Sequence, residues 1–470
     1  MAQSRFLTFA SDAVVRVIPL HLETTRLVVF VSSFVLAVCF GVGSETCADE
    51  FRLPDDRNVL DRSRLESCGL RVLESKHLIL VTDAPLEEVQ DIPPLADALF
   101  VELQRQLDPL KADLKGKDFQ ITGYVMGAKE RFEEAGVLPP ESIVIRHGRH
   151  VGYQFWMNNQ TLPYYRRHLL LHEFIHCFMM CEHGMADIPP LWYTEGIAEY
   201  FATHELATDI KSTRFGILPP TLDGYEGWGR ITEIRTNMKE LTGDAAQWQS
   251  QMSLESVRHP LDNNFTTDLQ YSQSWALVWL IRNHPELKLH FSTLSNARTQ
   301  QDFRDAEKSV PAEVWQKMAV IWPLFLTSLT EGFQTEHSFP PLNFAASKPS
   351  ASGKFALQSN QEWQATGIAI KRGTTVQLTC SGRYAVHNKP RPWISEPQGI
   401  TIDYVHGRPL GEITAILVAP DGSVCSGRIP IGREASLEAP VDSELWLQIN
   451  DSANSRSDNS GSASIEVQAQ

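Results

Sequence analysis

Two periodicities divide the chain. Before about residue 335 the apolar positions mostly recur every three to four residues; after about residue 354 they alternate with polar ones. Residues 86–107 have helical spacing, with Leu95, Leu99, Leu103 and Leu107 on one stripe. Residues 77–82, 119–126 and 152–157 read as strands. From about Tyr164 to Cys181 the chain is apolar nearly all round, which predicts a helix at the centre of its domain. Residues 205–270 carry Pro219-Pro220, several glycines and a polar run, so short helices and long loops forming one wall of a cleft are expected. Residues 271–281 make an amphipathic helix ending near His284-Pro285, and residues 303–329 predict closing helices. Residues 336–353 have the composition of a linker. Residues 367–373, 375–380, 413–418, 444–449 and 463–468 read as short strands with turns between, the pattern of a β-sandwich. The expected architecture is an α+β domain over 50–335 and an all-β sandwich over 354–470.

The central helix contains His172-Glu173-Phe174-Ile175-His176, an HExxH pattern. Residues four apart share a helix face, so His172 and His176 can aim their imidazoles at one metal ion. Glu173 is displaced round the helix, poorly placed as a ligand and well placed beside a water on the metal. The alternative is a buried helix with two satisfied histidines. Downstream, Pro189-Pro190 precede Leu191-Trp192-Tyr193-Thr194-Glu195-Gly196-Ile197-Ala198-Glu199-Tyr200, read as a loop and then a helix with Thr194 as cap and Glu195 in its first turn. Two His and one Glu, with the fourth position left to water, form a catalytic zinc set that lowers the pKa of the water to about 7. Glu199, one turn beyond Glu195, can accept a hydrogen bond from a ligand histidine and fix its tautomer. A solvated acidic face is the other reading, but the apolar neighbours Trp192, Ile197, Tyr200 and Phe201 argue for burial, and buried carboxylates need partners.

HEFIH followed by TEGIAEY resembles the gluzincin metallopeptidases, most of all uncharacterised bacterial secreted proteins with such a domain. The resemblance covers roughly residues 70–335. It implies a zincin-like fold, zinc on His172, His176 and Glu195, Glu173 as general base, and a peptide or protein substrate. It also implies that the strand at 152–157 is the sheet edge that pairs with substrate; an ordinary core strand is the alternative. The aminopeptidase branch carries Gly-x-Met-Glu-Asn there, and this chain has Gly152-Tyr153-Gln154-Phe155, which puts aminopeptidase activity in doubt. Relatives often place a Tyr or His beyond the second helix to hydrogen-bond the oxyanion. Tyr271 is the candidate, with His204, His284 and His290 behind it.

Charge and composition narrow the partners. The formal charge of −15 and the lack of a basic run argue against nucleic acid. Residues 1–48 carry Arg5, Arg16 and Arg26 before an uncharged apolar run, 27–43, and a Ser44-Glu45-Thr46-Cys47-Ala48 cleavage region. The run is short for a span, so an export signal is expected, with an uncleaved membrane anchor as the alternative. The protein is then secreted, periplasmic or on the cell surface. Among seven cysteines, Cys39 and Cys47 leave with the signal. Cys177 and Cys181 read as buried apolar side chains, and Cys380 with Cys425 can pair in an oxidising compartment.

The segment 450–461 is rich in Asn, Asp and Ser between two strands, which predicts an ordered loop whose oxygens suit calcium. With Trp363-Gln364-Ala365-Thr366-Gly367-Ile368 and Pro409-Leu410-Gly411-Glu412-Ile413, the region resembles the PA-I type galactophilic lectins. That implies calcium on Asp451, Asp458 and Asn459 and a carbohydrate partner. The sugar-side positions match poorly around 385–398, and a sandwich without ligand is the alternative. Taken together, the sequence predicts an exported zinc metallopeptidase with a lectin-like module. The competing reading is a carbohydrate-binding or adhesion protein whose peptidase fold is idle.

Overall fold

The computed structural model describes residues 54–469 except 56, 108–118, 141–142, 185–188, 242–243, 261–266, 345–351 and 389. The expected export signal, with its apolar run and Cys39 and Cys47, lies outside the described residues. Among those described, no helix is long and apolar enough to cross a membrane.

The first half is built on a mixed sheet of five strands: β1 (Arg71–Glu74), β2 (Leu78–Thr82), β3 (Ile121–Met126), β4 (Gly148–Val151) and β5 (Gln154–Asn158), in the order β1-β2-β3-β5-β4. β2, β3 and β5 run parallel; β1 and β4 are antiparallel edges. Side chains alternate across a strand, so the sheet has two apolar faces. Leu78, Leu80, Ile121, Val125, Phe155 and Met157 face the large helical core, and Val81, Tyr124, Met126 and Trp156 face a smaller cluster. The strand at 152–157 is therefore not the edge: β5 is paired on both sides, and β4 holds the edge beside it.

The stripe at 86–107 is two helices, Leu86–Val89 and α1 (Ile92–Gln106). Pro93 and Pro94 are the cause, since proline is accepted only where helix amides are unbonded, in the first turn. The apolar central helix is α2 (Pro163–Cys181), buried on nearly every side against the sheet and against α3 (Leu191–Ala202). Short elements and loops follow, then α4 (Arg230–Leu241), α5 (Asp268–Asn283) and α6 (Ala312–Ser328). A capping box at Thr267 and Gln270 starts α5 ahead of Tyr271.

The C-terminal part is β-rich: β6 (Gly353–Gln358), β7 (Gln364–Ile370), β8 (Thr375–Ser381), β9 (Gln398–Val405), β10 (Arg408–Val418), β11 (Glu434–Glu438), β12 (Ser443–Ile449) and β13 (Ser462–Ala469). They form two antiparallel sheets, β11-β8-β13-β6 and β9-β10-β12-β7. Val376, Leu378, Ile465 and Val467 of the first share a core with Ile413, Ala415, Leu417, Leu445 and Leu447 of the second.

The other face of the second sheet is not wet. Ile416, Val418 and Trp446, with Trp363, Cys425 and Ala453, belong to the helical core of the first half. Trp363 Nε1 donates to Thr327 Oγ1 at 3.1 Å, Trp248 Nε1 to the Gly422 carbonyl at 3.1 Å, and Ser328 Oγ to Glu362 Oε1 at 2.7 Å. The stretch expected to be a linker is also packed where described. Ser338 Oγ donates to the Ala453 carbonyl, and Phe339 sits among Trp279, Phe325 and Phe333.

No described cysteine forms a disulfide. The expected Cys380–Cys425 pair fails because Cys380 lies in the core between the sheets and Cys425 in the helical core. Cys177 and Cys181 are buried in the helical core as expected.

Candidate metal centre

α2 brings the two motif histidines to one point: His172 Nε2 and His176 Nε2 are 3.0 Å apart. Glu195 Oε2 lies 3.2 Å from the first and 3.3 Å from the second. Three such atoms within this distance share either a proton or a metal cation. Four ligands placed tetrahedrally at roughly 2.0–2.1 Å from zinc are about 3.3 Å apart, so the triangle fits such an ion with little adjustment. The histidines are buried and Glu195 is half-buried.

Glu195 reaches this point by a route the sequence reading placed differently. α3 begins at Leu191 after Pro190, and Thr194 is inside the helix with its hydroxyl 3.4 Å from the Pro189 carbonyl. Thr194 is not the cap, and Glu195 stands in the second turn. What positions it is close packing. A Cβ at Gly196 would lie 2.5 Å from the Ser274 carbonyl oxygen, so only glycine lets α3 press this hard against α5.

Glu173 is 5 % exposed and faces the edge strand. His150 Nδ1 lies 3.1 Å from Glu173 Oε2, so its N–H donates to the carboxylate, and its ring stacks on His176 with centroids 4.2 Å apart. Burial pushes the Glu173 carboxyl up, but the His150 hydrogen bond and the neighbouring imidazoles outweigh it and hold the group below its ordinary value. It is a carboxylate at neutral pH, the state a base requires. β4 comes so close here that a Cβ at Gly148 would be 2.3 Å from Glu173 Oε1.

Glu199 is the hub of a buried network. Arg230, the first residue of α4, grips it with both arms of its guanidinium: Nη2 to Oε1 at 2.9 Å and Nε to Oε2 at 3.1 Å. His168 Nε2, one turn before His172, is 3.1 Å from Oε2. His172 Nδ1 is 3.3 Å from Oε1, close but off the hydrogen-bond line. Burial disfavours the charge on Glu199, and Arg230 and His168 more than compensate, keeping its carboxyl well below the usual range. His168, His172 and Glu199 also lie close enough to hold an ion. Arg230 already supplies the positive charge there, so of the two groups the one with Glu195 is the better candidate. On His172, burial opposes protonation, but the carboxylates of Glu195 and Glu199 prevail and hold its pKa at about 10.

Tyr271, in the first turns of α5, has its ring 6.3 Å from that of His172, with the Arg230 guanidinium 5.3 Å from its centre. Burial and then the Glu195, Glu199 and Glu173 charges push its phenol up, so it stays a neutral O–H donor. The lesser candidates are engaged elsewhere or lie apart. His204 stacks on Tyr164 and contacts the Ala202 carbonyl through Nδ1. His284 Nε2 contacts the Pro340 carbonyl, and His290 lies half-buried on the helix Lys288–Ser295. Sequence reasoning missed Arg230, His168 and His150. His168 alone left a signal, one turn N-terminal to His172 on the same helix.

In the loop 450–461, Asp451 Oδ1 accepts from the Ser452 amide at 2.6 Å and Ser455 Oγ at 2.9 Å. Its Oδ2 accepts from Asn459 Nδ2 at 2.8 Å. Asp458 Oδ2 accepts from the Asn388 amide and lies 3.1 Å from His387 Nδ1. Asp458 Oδ1 and Asn459 Oδ1 are buried without a donor. Arg456, fully buried, anchors the loop through the Ile449 and Asp451 carbonyls at 2.8 and 2.6 Å.

No family model matches the chain, and no curated protein does. Solved structures offer slight likenesses. The N-terminal domain of EclA, a PllA-like lectin, is 21% identical, covers 26% of this chain and 98% of its own, and has a TM-score of 0.21. PliG from Aeromonas hydrophila, a periplasmic inhibitor of g-type lysozyme, is 14% identical, covers 26% of this chain and 85% of its own, with a TM-score of 0.15. Similarities of this size do not identify an activity.

Proposed function

We propose that the chain is an exported, zinc-dependent peptidase with a zincin-like domain and a carbohydrate-binding C-terminal sandwich. The observation that carries the reading is the triangle of His172, His176 and Glu195 donor atoms, 3.0–3.3 Å on a side, with a buried and ionised Glu173 one residue along. Two imidazoles and a carboxylate are a donor set that suits zinc. The ion would polarise the peptide carbonyl and acidify a water. Glu173 takes the proton of the attacking water and returns it to the leaving nitrogen. His150 orients Glu173, Glu199 orients His172, and the Tyr271 phenol donates to the carbonyl oxygen as charge grows on it. The open edge of β4 holds the peptide by backbone pairing. The apolar leader is the ground for export.

An idle peptidase fold acting in adhesion is the weaker reading, because it gives Glu173 and its His150 partner no work. The donorless oxygens of Asp458 and Asn459, beside Asp451, favour calcium in the sandwich loop and through it sugar hydroxyls. The test is cleavage of a mixed peptide library by the full chain, read by mass spectrometry, with zinc, with chelator, and with zinc restored. Cuts that vanish with chelator and return with zinc are expected. Cuts indifferent to chelator, or none at all, reject the peptidase. Metal analysis of Glu195→Ala should show reduced zinc content; full occupancy would remove Glu195 from the ligand set.

A further inference from the structure

The edge strand differs from the rest of the surface in charge. Acidic residues exceed basic ones by 15 over the chain, yet Arg146, His147, Arg149 and His150 stand together around Gly148. Arg146, His147 and Arg149 are exposed, and no side-chain hydrogen bond or ion pair joins any of them to a described residue. Most other arginines near the centre are engaged: Arg230 with Glu199, Arg166 with Glu88, Arg167 with Asp91. Unpaired cations in an acidic protein create a local positive potential, which recruits a complementary partner.

The strand also fixes where that partner lies. The Asn158 amide donates to the His147 carbonyl at 2.9 Å, and β4 pairs antiparallel with β5 from Gly148↔Met157 to Val151↔Gln154. Backbone bonds alternate in such a ladder, so Gly148 and His150 turn their N–H and C=O groups to the open edge. The same two residues stand over Glu173. A chain paired to them crosses the base, its side chains pointing alternately to the metal face and away. Arg146 lies in the bend two residues before Gly148, exposed beside the start of the strand. Arg149 is on the side away from the metal, across from Trp156.

We propose that the substrate of this site is an acidic polypeptide segment, with aspartate or glutamate flanking the bond cut, recognised by Arg149 on β4 and Arg146 just before it. The proposal rests on the peptidase reading for the cut, and on the strand alone for the preference.

A library of extended peptides, each made with Glu or Asp and again with Gln or Asn in their place, separates the two. Binding to Glu173→Gln is read by fluorescence anisotropy in low salt, and cleavage by the unaltered chain is read in parallel. Exposed charge pairs contribute about two- to fivefold each, so acidic forms should bind about tenfold tighter than their amide twins. The preference should fade near 1 M salt. In Arg146→Gln/Arg149→Gln it should vanish while amide forms bind as before. Equal affinity for both forms, no binding of any acidic form, or a preference that survives the double change overturns the proposal. Acidic preference in binding with no cleavage leaves the proposal and removes the peptidase; cleavage without preference does the reverse.

Discussion

Replacing Arg230 by methionine tests the network behind the proposed metal ligands. Methionine keeps the apolar stem and removes the guanidinium that occupies both Glu199 oxygens at 2.9 and 3.1 Å. The Glu199 side chain is 3 % exposed and that of Arg230 13 %, so the change strands a buried carboxylate. Removing one partner of a buried pair costs about 3–5 kcal/mol. His168 still covers one oxygen and Arg230 is not wholly dry, so the lower end, about 3 kcal/mol, is expected for the metal-free chain at neutral pH. Glu199 loosened from its place no longer orients His172, and zinc should bind about 10–100-fold more weakly. The sign with pH follows from the lowered Glu199 pKa. Its contribution is full above the ordinary carboxylate value and is lost as pH falls through the folded one, so the deficit of Arg230→Met should shrink in acid. Adding Glu199→Gln removes the stranded charge and should restore most of the stability. Urea unfolding followed by tryptophan fluorescence gives the first quantity, and competition with a zinc chelator the second. A variant within about 0.5 kcal/mol of the unaltered chain, the size of an ordinary surface change, and with unchanged zinc affinity would refute the reasoning.

Glu173→Gln should keep its zinc and lose at least about 100-fold in peptide cleavage, because an amide cannot take the proton of water; an unchanged rate sinks the mechanism. The His172 pKa of about 10 means that the metal-free centre holds a proton at neutral pH, so zinc uptake near pH 7 should release about one proton per ion and tighten as pH rises. Calorimetry in buffers of different ionisation enthalpy checks this, and uptake without proton release contradicts it. Calcium at a hundred times its Kd should stabilise the full chain by about 2.7 kcal/mol, and Asp451→Ala should abolish the gain; identical melts with and without calcium reject the calcium loop.

The two helices that carry the candidate ligands were legible because their signals are local. HExxH fixes a spacing within one turn, and Glu195 and Glu199 lie in an apolar segment where charge is conspicuous. Arg230 was not, because a loop region with no period separates it from Glu199. β4 was missed for a different reason: Gly148-Arg149-His150-Val151 has no apolar alternation, being half open to solvent. The strands of the sandwich were found from their alternation, but β10 and β12 also carry apolar residues at the other parity, Ile416, Val418 and Trp446. Runs apolar on both faces mark strands covered on both sides. That signal was present and pointed to the burial of the second face against the helices.

The wall that Trp446 and Ala453 provide to the helical core changes the order in which the protein can mature. Domains generally fold in turn as they leave the ribosome. Here the helices around α6 complete their core only with Trp446, more than a hundred residues beyond the end of α6. Maturation is thus postponed until β12 has been made. A nascent chain stopped before β12 presents unburied apolar helices to chaperones, and a premature stop there removes the first half of the molecule as surely as the second.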